Sequence, residues 1–192
     1  MEEDLKKLVV DEFSYQRKIA MTDLETTGDI PSLHEILEIG LVVFDADTFE
    51  ILDTMNKKVK LEHVETAVPM ALSYNGYKEE DWKNAISLEE AIGEYGKKTK
   101  DCIFCAYNVS FDWGFINEAF NKFGIQNPMS TKENHDRLDL LTLAWEKGLK
   151  KEKSFSLKTA CNLFGISPEP EPHSALNGAM TAYELFKKLS TI

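Results

Sequence analysis

The strongest constraint on the fold comes from the segment EILEIGLVVFD, which begins at Glu35. Apolar residues occupy nearly every position from Ile36 to Phe44. An almost unbroken apolar run of this length is typical of a strand inside a sheet whose two faces are covered by other elements. The run is much shorter than the roughly 20 residues that cross a bilayer. It therefore predicts an interior strand rather than a membrane span.

Neighbouring segments predict further strands. RKIAMTDLE, from Arg17, has the pattern of a strand that ends at the turn TTGD, and EILDTMNKKVKLE alternates apolar and polar positions like a half-exposed strand. Because these three strands are close in sequence, we expect antiparallel hairpins between them. DCIFCAYN predicts a fourth strand, and the residues near Asp136 predict a short fifth one.

Helical patterns dominate the rest of the chain. Ser87 with Glu90 forms a capping box ahead of an apolar helical face. Further helices are predicted for SFDWGFINEAFNKFG, LDLLTLAWEKG, SLKTACNLFG and the segment that begins HSALNGAM. Three strands followed by alternating helices and strands are typical of an α/β domain, with a mixed sheet flanked by helices. We assign this domain to residues 17–192 and interpret residues 1–16 as an N-terminal lead-in.

Composition narrows the classes of function. The formal net charge of −11 argues against a broad, non-specific grip on nucleic acid. It does not argue against a site where metal ions neutralise carboxylates and phosphates. Several lysines concentrate in residues 146–158, and we interpret this segment as a solvated loop in preference to a binding patch. The three cysteines are expected to be buried thiols. No membrane segment is apparent and the N-terminus is acidic, so we predict a cytoplasmic location.

Three sets of polar residues are candidates for chemistry. Asp23 and Glu25 lie two residues apart at the end of the first predicted strand, so they share one face. Paired carboxylates suit Mg²⁺ or Mn²⁺. Asp112 is expected in or near the first turn of the helix after the fourth strand, although an acid there also stabilises a helix N-terminus without any other role. His173 follows the stiff segment PEPEP, and an imidazole can accept a proton from water near neutrality.

Taken together, three motifs resemble the DEDD superfamily of 3′–5′ exonucleases. They are TDLETTGD at residues 22–29, AYNVSFDWGF at residues 106–115 and HSALNGA at residues 173–179. The closest type is the histidine-containing (DEDDh) branch, which includes ribonuclease T and the proofreading epsilon subunit of DNA polymerase III. The resemblance implies an RNase H-like fold with a mixed five-stranded sheet. It spans residues 17–190, and the order and spacing of the motifs carry it.

The resemblance also implies an activity and roles for individual residues. The family removes nucleotides one at a time from the 3′ end of single-stranded DNA or RNA, with two divalent cations, Mg²⁺ or Mn²⁺, at the scissile phosphate. By this resemblance Asp23 bridges both cations and Glu25 holds the cation on the nucleophile side. Asp112 serves the leaving-group side, and His173 orients or deprotonates the attacking water.

The implied surroundings of the site are less specific. Residues that would hold the terminal nucleotide or form the cleft wall are Leu24, Thr26, Thr27, Asn108 and Phe111. Asp139 is at best a supporting or structural residue. Homodimerisation and association with a polymerase both occur among relatives of this type, and the sequence leaves both open.

One position departs from the family pattern. The third motif ordinarily has an aspartate five residues after the histidine, where this chain has Gly178. No aspartate follows His173, and Glu184 lies nearly two helical turns beyond Gly178. We therefore expect the nucleophile-side cation to bind weakly, Mn²⁺ to be more effective than Mg²⁺, and hydrolysis to be impaired.

Three interpretations of Gly178 stay open from the sequence. The chain is a 3′–5′ exonuclease of low activity, or it is an exonuclease fold that has lost catalysis and serves as a nucleic-acid or protein interaction module. In the third, the glycine is an engineered or variant replacement of a functional aspartate.

Overall fold

A computed structural model describes residues 17–170 and 173–192; the predicted lead-in of residues 1–16 lies outside these ranges. A five-stranded sheet has the order β3-β2-β1-β4-β5. β1 pairs antiparallel with β2 and β2 with β3, whereas β4 is parallel to both β1 and β5. The strands are β1 (Lys18–Thr26), β2 (Ile36–Asp45), β3 (Ile51–Lys58), β4 (Cys102–Ala106) and β5 (Arg137–Asp139). The predicted mixed sheet and antiparallel hairpins are confirmed.

Six α-helices lie within the described ranges. They are α1 (Pro69–Tyr74), α2 (Leu88–Lys98), α3 (Val109–Lys122), α4 (Leu140–Lys147), α5 (Leu157–Phe164) and α6 (Ala175–Ser190). Ser87 caps α2 by accepting a hydrogen bond from the backbone N–H of Glu90, as the capping box predicts. α1, a short helix with a proline at its first position, was not predicted from the sequence. None of these helices is long and apolar enough to cross a membrane, and the cytoplasmic location stays a prediction.

The sheet separates two hydrophobic cores. α2 and α3 cover one face with large side chains such as Tyr95 and Phe120, and the C-terminal helices cover the other with Tyr183 and Leu185. β2 is buried along its whole length, as its apolar run predicts. The neighbouring thiols of Cys102 and Cys105 belong to different cores, and all three cysteines are free and buried. This confirms the interpretation of the cysteines as structural thiols.

A glycine brings the start of α6 against the sheet. Gly40 on β2 pairs with Asp23 on β1. A Cβ atom added at Gly40 would collide with the backbone of Ala175 and Leu176. The N-terminal turn of α6 therefore lies directly on β2, beside the end of β1 that carries the acidic motif.

Candidate metal centre and active site

Two adjoining clefts open at the carboxyl end of β1. The acidic cleft has a volume of about 420 Å³ and is lined by Asp23, Leu24, Glu25, Tyr74, Ser156, Leu157, Lys158, Pro168, Glu169 and His173. The apolar cleft, also about 420 Å³, lies between β1, α1 and α3; its lining includes Leu24, Thr26, Met70, Tyr74 and Phe111. Leu24, Glu25 and Tyr74 contribute to both clefts, so the two form neighbouring parts of one site.

The two acids of β1 lie on the face of the sheet that α6 covers. Asp23 pairs with Gly40 and Glu25 pairs with Glu38, so Glu25 and Glu38 are cross-strand neighbours. Glu25 is only 8% exposed and Glu38 only 3%. Burial raises the pKa of Glu25 to about 8, and the carboxylates of Glu169 and Glu38 contribute to this rise.

Asp112 reaches the same site from the first turn of α3. It is 4% exposed, and burial raises the pKa of its carboxyl, although backbone N–H groups of Asp112 and Leu24 act in the opposite direction. Burial also raises the pKa of Asp23, and Asp112 is the neighbouring acid that adds most to this shift. The structure therefore brings together the three acids predicted from the sequence.

His173 lies just before α6, whose N-cap is Ser174. The Nδ1 atom of His173 is 2.8 Å from Oε2 of Glu169. Its ring stacks on that of Tyr74, with centroids 4.7 Å apart and planes inclined by 21°. With Nδ1–H donating to the carboxylate, Nε2 is available as a proton acceptor. The geometry fits the role in water activation that was expected of His173.

Gly178 is buried in α6, directly over Asp23. A Cβ atom added at this position would collide with the carboxylate of Asp23 and lie 2.7 Å from its Cγ atom. The glycine therefore makes room for the side chain of Asp23, and α6 adds no carboxylate at this point. An aspartate at position 178 would require the Asp23 side chain to move.

The predicted substrate-binding residues occupy different environments. Leu24, Thr26 and Phe111 line the apolar cleft. Thr27 is fully buried, and its hydroxyl accepts a hydrogen bond from the backbone N–H of Glu35. Asn108 has a left-handed backbone conformation (φ 66°) where β4 turns into α3. The substrate roles of these residues stay predictions.

Asp139 has a structural role. Its Oδ1 atom accepts hydrogen bonds from the backbone N–H groups of Asn108 and Val109, and also from that of Leu141 in the first turn of α4. It thereby ties the turn after β4 to the start of α4, in agreement with the structural role considered for it.

Three residues of the site, Glu38, Tyr74 and Glu169, were not predicted from the sequence. Glu38 interrupts the apolar run of β2, and this interruption was the signal that could have found it. Glu169 lies four residues before His173, whereas a replacement for the missing aspartate was sought only after His173. No feature of the sequence indicated that Tyr74 of α1 would stack on His173.

The donor set fits divalent cations. Within residues 17–170 and 173–192, no salt bridge joins Asp23, Glu25 or Asp112 to a basic side chain. One oxygen each of Glu25 and Glu169 and one ring nitrogen of His173 lie within 4.8 Å of one another. Clustered carboxylate oxygens suit Mg²⁺ or Mn²⁺, and a bound cation would offset the mutual repulsion of the acids.

The chain matches the model of a known enzyme family. The RNase T family model, described as Exonuclease, matches residues 21–186. The chain belongs to this exonuclease family. Its members generally use divalent metal ions, in keeping with the acidic cluster at the end of β1. The chain is 30% identical over 169 residues to the 3′-5′ exonuclease DinG of Staphylococcus epidermidis. That match covers 88% of this chain but only 18% of the relative.

Solved structures of exonucleases share the fold. E. coli exonuclease I in complex with a dT13 oligonucleotide matches with a TM-score of 0.78 at 18% identity, covering 92% of this chain and 41% of that one. A zinc-bound form of the same exonuclease with single-stranded DNA gives the same TM-score. A 3′-exonuclease that recognises a histone mRNA stem-loop matches with a TM-score of 0.73 at 18% identity, covering 99% of this chain and 71% of that one. These matches confirm the RNase H-like fold expected from the motifs.

Proposed function

We propose that this exonuclease-family chain hydrolyses phosphodiester bonds of single-stranded DNA or RNA from the 3′ end, in a reaction that depends on divalent cations. The observation that carries the proposal is that Asp23 and Glu25 line one cleft with His173, while Asp112 lies close enough to Asp23 to raise the pKa of its carboxyl. Both nucleic acids are considered because one structural neighbour holds a DNA oligonucleotide and another recognises an RNA stem-loop.

Each residue then has a distinct task. Divalent cations bound at the acids would polarise the scissile phosphate and make the attacking water more acidic. We propose that Asp23 would help to hold the cations on both sides of the scissile phosphate. Glu25 would hold the cation on the side of the attacking water, and Asp112 would serve the side of the leaving oxygen. His173 accepts the proton of the water, while its contacts with Glu169 and Tyr74 hold the ring in place.

The clefts suit a nucleotide at the end of a chain. The apolar cleft offers Leu24 and Phe111 to a base or sugar, and Met70 at its rim is 80% exposed. Thr26 lines the same cleft and offers a hydroxyl group there. Lys158 at the acidic cleft provides a positive charge for a phosphate. Thr27 and Asn108, which shape the neighbouring turns, would act on the substrate through the backbone.

The glycine at position 178 is the reason to expect a low rate of hydrolysis. Because α6 supplies no carboxylate above Asp23, we propose that the nucleophile-side cation is held less tightly than it would be with an aspartate there. Mn²⁺ should support more hydrolysis than Mg²⁺. The same observation favours the second candidate, an exonuclease fold that binds nucleic acid or a protein without cleaving. Association with a polymerase and homodimerisation stay predictions.

A 3′-end digestion assay tests this proposal. The substrates are 5′-labelled single-stranded DNA and RNA oligonucleotides, each with Mg²⁺ or Mn²⁺, and the control variant is Asp23→Asn. We expect stepwise shortening from the 3′ end with Mn²⁺, which is abolished by the substitution and by a chelator. Oligonucleotide binding without metal, combined with no cleavage in either metal, would instead favour the interaction module.

A further inference from the structure

The acidic cleft contains one carboxylate from outside the family motifs, in addition to those of Asp23 and Glu25. Glu169 belongs to the segment before α6, and its side chain is only 11% exposed. It lines the same cleft as Asp23 and Glu25. One of its oxygens lies within 4.8 Å of both a Glu25 oxygen and a His173 ring nitrogen, so the three groups are close enough to face a single ion.

The local chain holds Glu169 in this position. Pro168 and Pro170 fix their own φ angles, and each proline disfavours a helical conformation in the residue before it. The carboxylate is held at both oxygens. Oε1 accepts a hydrogen bond from the backbone N–H of Ser174 at 2.9 Å, and Oε2 is 2.8 Å from Nδ1 of His173. A carboxylate has about four lone-pair positions, so these two bonds leave capacity for a cation.

The other nearby acids are poorer candidates. Burial raises the pKa of Glu38 on β2, although Lys58 and a hydrogen bond from the Asn56 side chain act in the opposite direction. Among the described residues, Glu38 is not part of the lining of the acidic cleft. Glu184, the remaining acid of α6, is exposed. Among the described residues that line the acidic cleft, Glu169 is thus the acid that lies outside the motifs.

We propose that Glu169 supplies the fourth carboxylate of the metal site, from the segment before α6 instead of from position 178 within it. This inference rests on the proposed function, since it concerns the same cations. It follows that the loss of an acid at Gly178 is at least partly offset. The chain then presents four carboxylates, with the fourth on a different element from the one the family pattern uses.

A simpler role for Glu169 would be to orient His173 and nothing more. The two roles differ in what they predict for cation affinity. Glu169→Gln removes the charge but keeps an oxygen that can accept a hydrogen bond from His173. A residue that only positions the histidine would change the rate and its pH profile, while Mn²⁺ would bind as before.

Calorimetric titration of the full chain with Mn²⁺ separates the roles. We expect Glu169→Gln to weaken Mn²⁺ binding by about tenfold or more, since even outer partners of metal ligands commonly contribute that much. The matched control Glu184→Gln removes an exposed acid of α6 and should leave the affinity unchanged. Glu169→Asp, which keeps the charge on a shorter side chain, should fall between the two. Circular dichroism verifies that each variant is folded.

A sharper test moves the carboxylate from position 169 to position 178. In the Glu169→Gln background, Gly178→Asp should restore Mn²⁺ affinity to within about threefold of the original chain. In the original chain the same Gly178→Asp change should improve affinity much less, because four acids are already present and Asp23 must move to admit a fifth. Strong non-additivity of this kind is expected of groups that serve one site.

The Mn²⁺ titrations can support or contradict the role proposed for Glu169. Folded Glu169→Gln that binds Mn²⁺ as tightly as the original chain would overturn the inference, even if its hydrolysis rate fell. An original chain that binds no Mn²⁺ would overturn it as well. Binding of Mn²⁺ that depends on Glu169, without release of nucleotides, would support the inference while the proposed exonuclease function failed.

Discussion

Two regions supply the polar groups of the site, and they are held in different ways. Asp23, Glu25 and Asp112 lie on β1 and α3, and β1 runs between β2 and β4 in the middle of the sheet. We call these three the scaffold acids. Glu169 and His173 belong to the chain entering α6, where two hydrogen bonds and one ring contact position them. We call these two the entry residues.

The scaffold acids and the entry residues differ in how easily each can be gained or lost by substitution. A carboxylate on a buried central strand stays where the sheet places it, and its charge is destabilised by burial and by its neighbours. A carboxylate on a connecting segment can be gained or lost without repacking a core. A metal site can therefore keep its scaffold acids while the remaining acid moves from a helix to the segment before it. The experiments below test this division, beginning with the largest effect.

Loss of a scaffold acid should separate activity from stability. Asp23→Asn should lower the rate of 3′-end hydrolysis by at least about 10³-fold, because electrostatic stabilisation of the phosphate depends on it. The same change should stabilise the metal-free protein at pH 8 by about 1 kcal/mol, since the burial of a charge at this position and its repulsion from Asp112 and Glu25 both disappear. Urea unfolding and a cleavage assay measure the two effects.

The matched control for that experiment is Asp47→Asn, an exposed acid in the turn between β2 and β3. It should change neither quantity. Equal stability of Asp23→Asn and the original chain would mean that the scaffold acids are not strained in the metal-free protein.

Loss of an entry residue should reduce the rate without the gain in stability. His173→Gln should lower kcat by about 10²- to 10⁴-fold, the usual contribution of a general base, with little change in KM. Added imidazole should recover part of the rate if the ring acts in proton transfer. Retention of full activity would show that proton removal from water does not depend on His173.

The scaffold acids could be predicted from the sequence, whereas Glu169 could not. Asp23 and Glu25 were identified because strand geometry dictates that residues two apart share a face, and the interior position of β2 followed from its apolar run. Glu169 could not be found in this way. Its distance from Glu25 depends on how a proline-containing segment returns to the sheet, and Gly40 permits that return by admitting α6 against β2.

The pH dependence of the metal-free protein tests the environment of Glu25, one of the scaffold acids. The pKa of Glu25 is raised to about 8 from an ordinary value of 4.5. Between about pH 4.5 and pH 8, Glu25 is protonated in the folded state but ionised in the unfolded state. The stability that this group contributes is therefore highest below about pH 4.5 and falls as the pH rises through about 8. Between pH 5 and pH 8 we expect a loss of about 3 kcal/mol from this group. Urea unfolding with a chelator present measures it.

Added Mn²⁺ should remove most of that loss, because cation binding favours the charged carboxylates. Glu169→Gln should make the pH dependence shallower, since the charge of Glu169 contributes to the raised pKa of Glu25. A metal-free protein whose stability stays constant from pH 5 to pH 8 would contradict the raised pKa of the buried Glu25 carboxyl.

The smallest predicted effect concerns the ring that supports the entry residues. Tyr74 is 64% exposed, so Tyr74→Ala should hardly affect folding. Loss of its stacking on His173 should lower kcat by about two- to tenfold, in line with about 0.5–1.5 kcal/mol for an aromatic pair. Tyr74→Phe keeps the ring and should retain nearly full kcat. Because Tyr74 lines both clefts, a change confined to KM would instead mean that the ring contacts the substrate. Among the contacts of residues 17–170 and 173–192, the hydrogen bonds of Glu169 would then be the ones that position the entry residues, which would make Glu169 the more informative site for substitution.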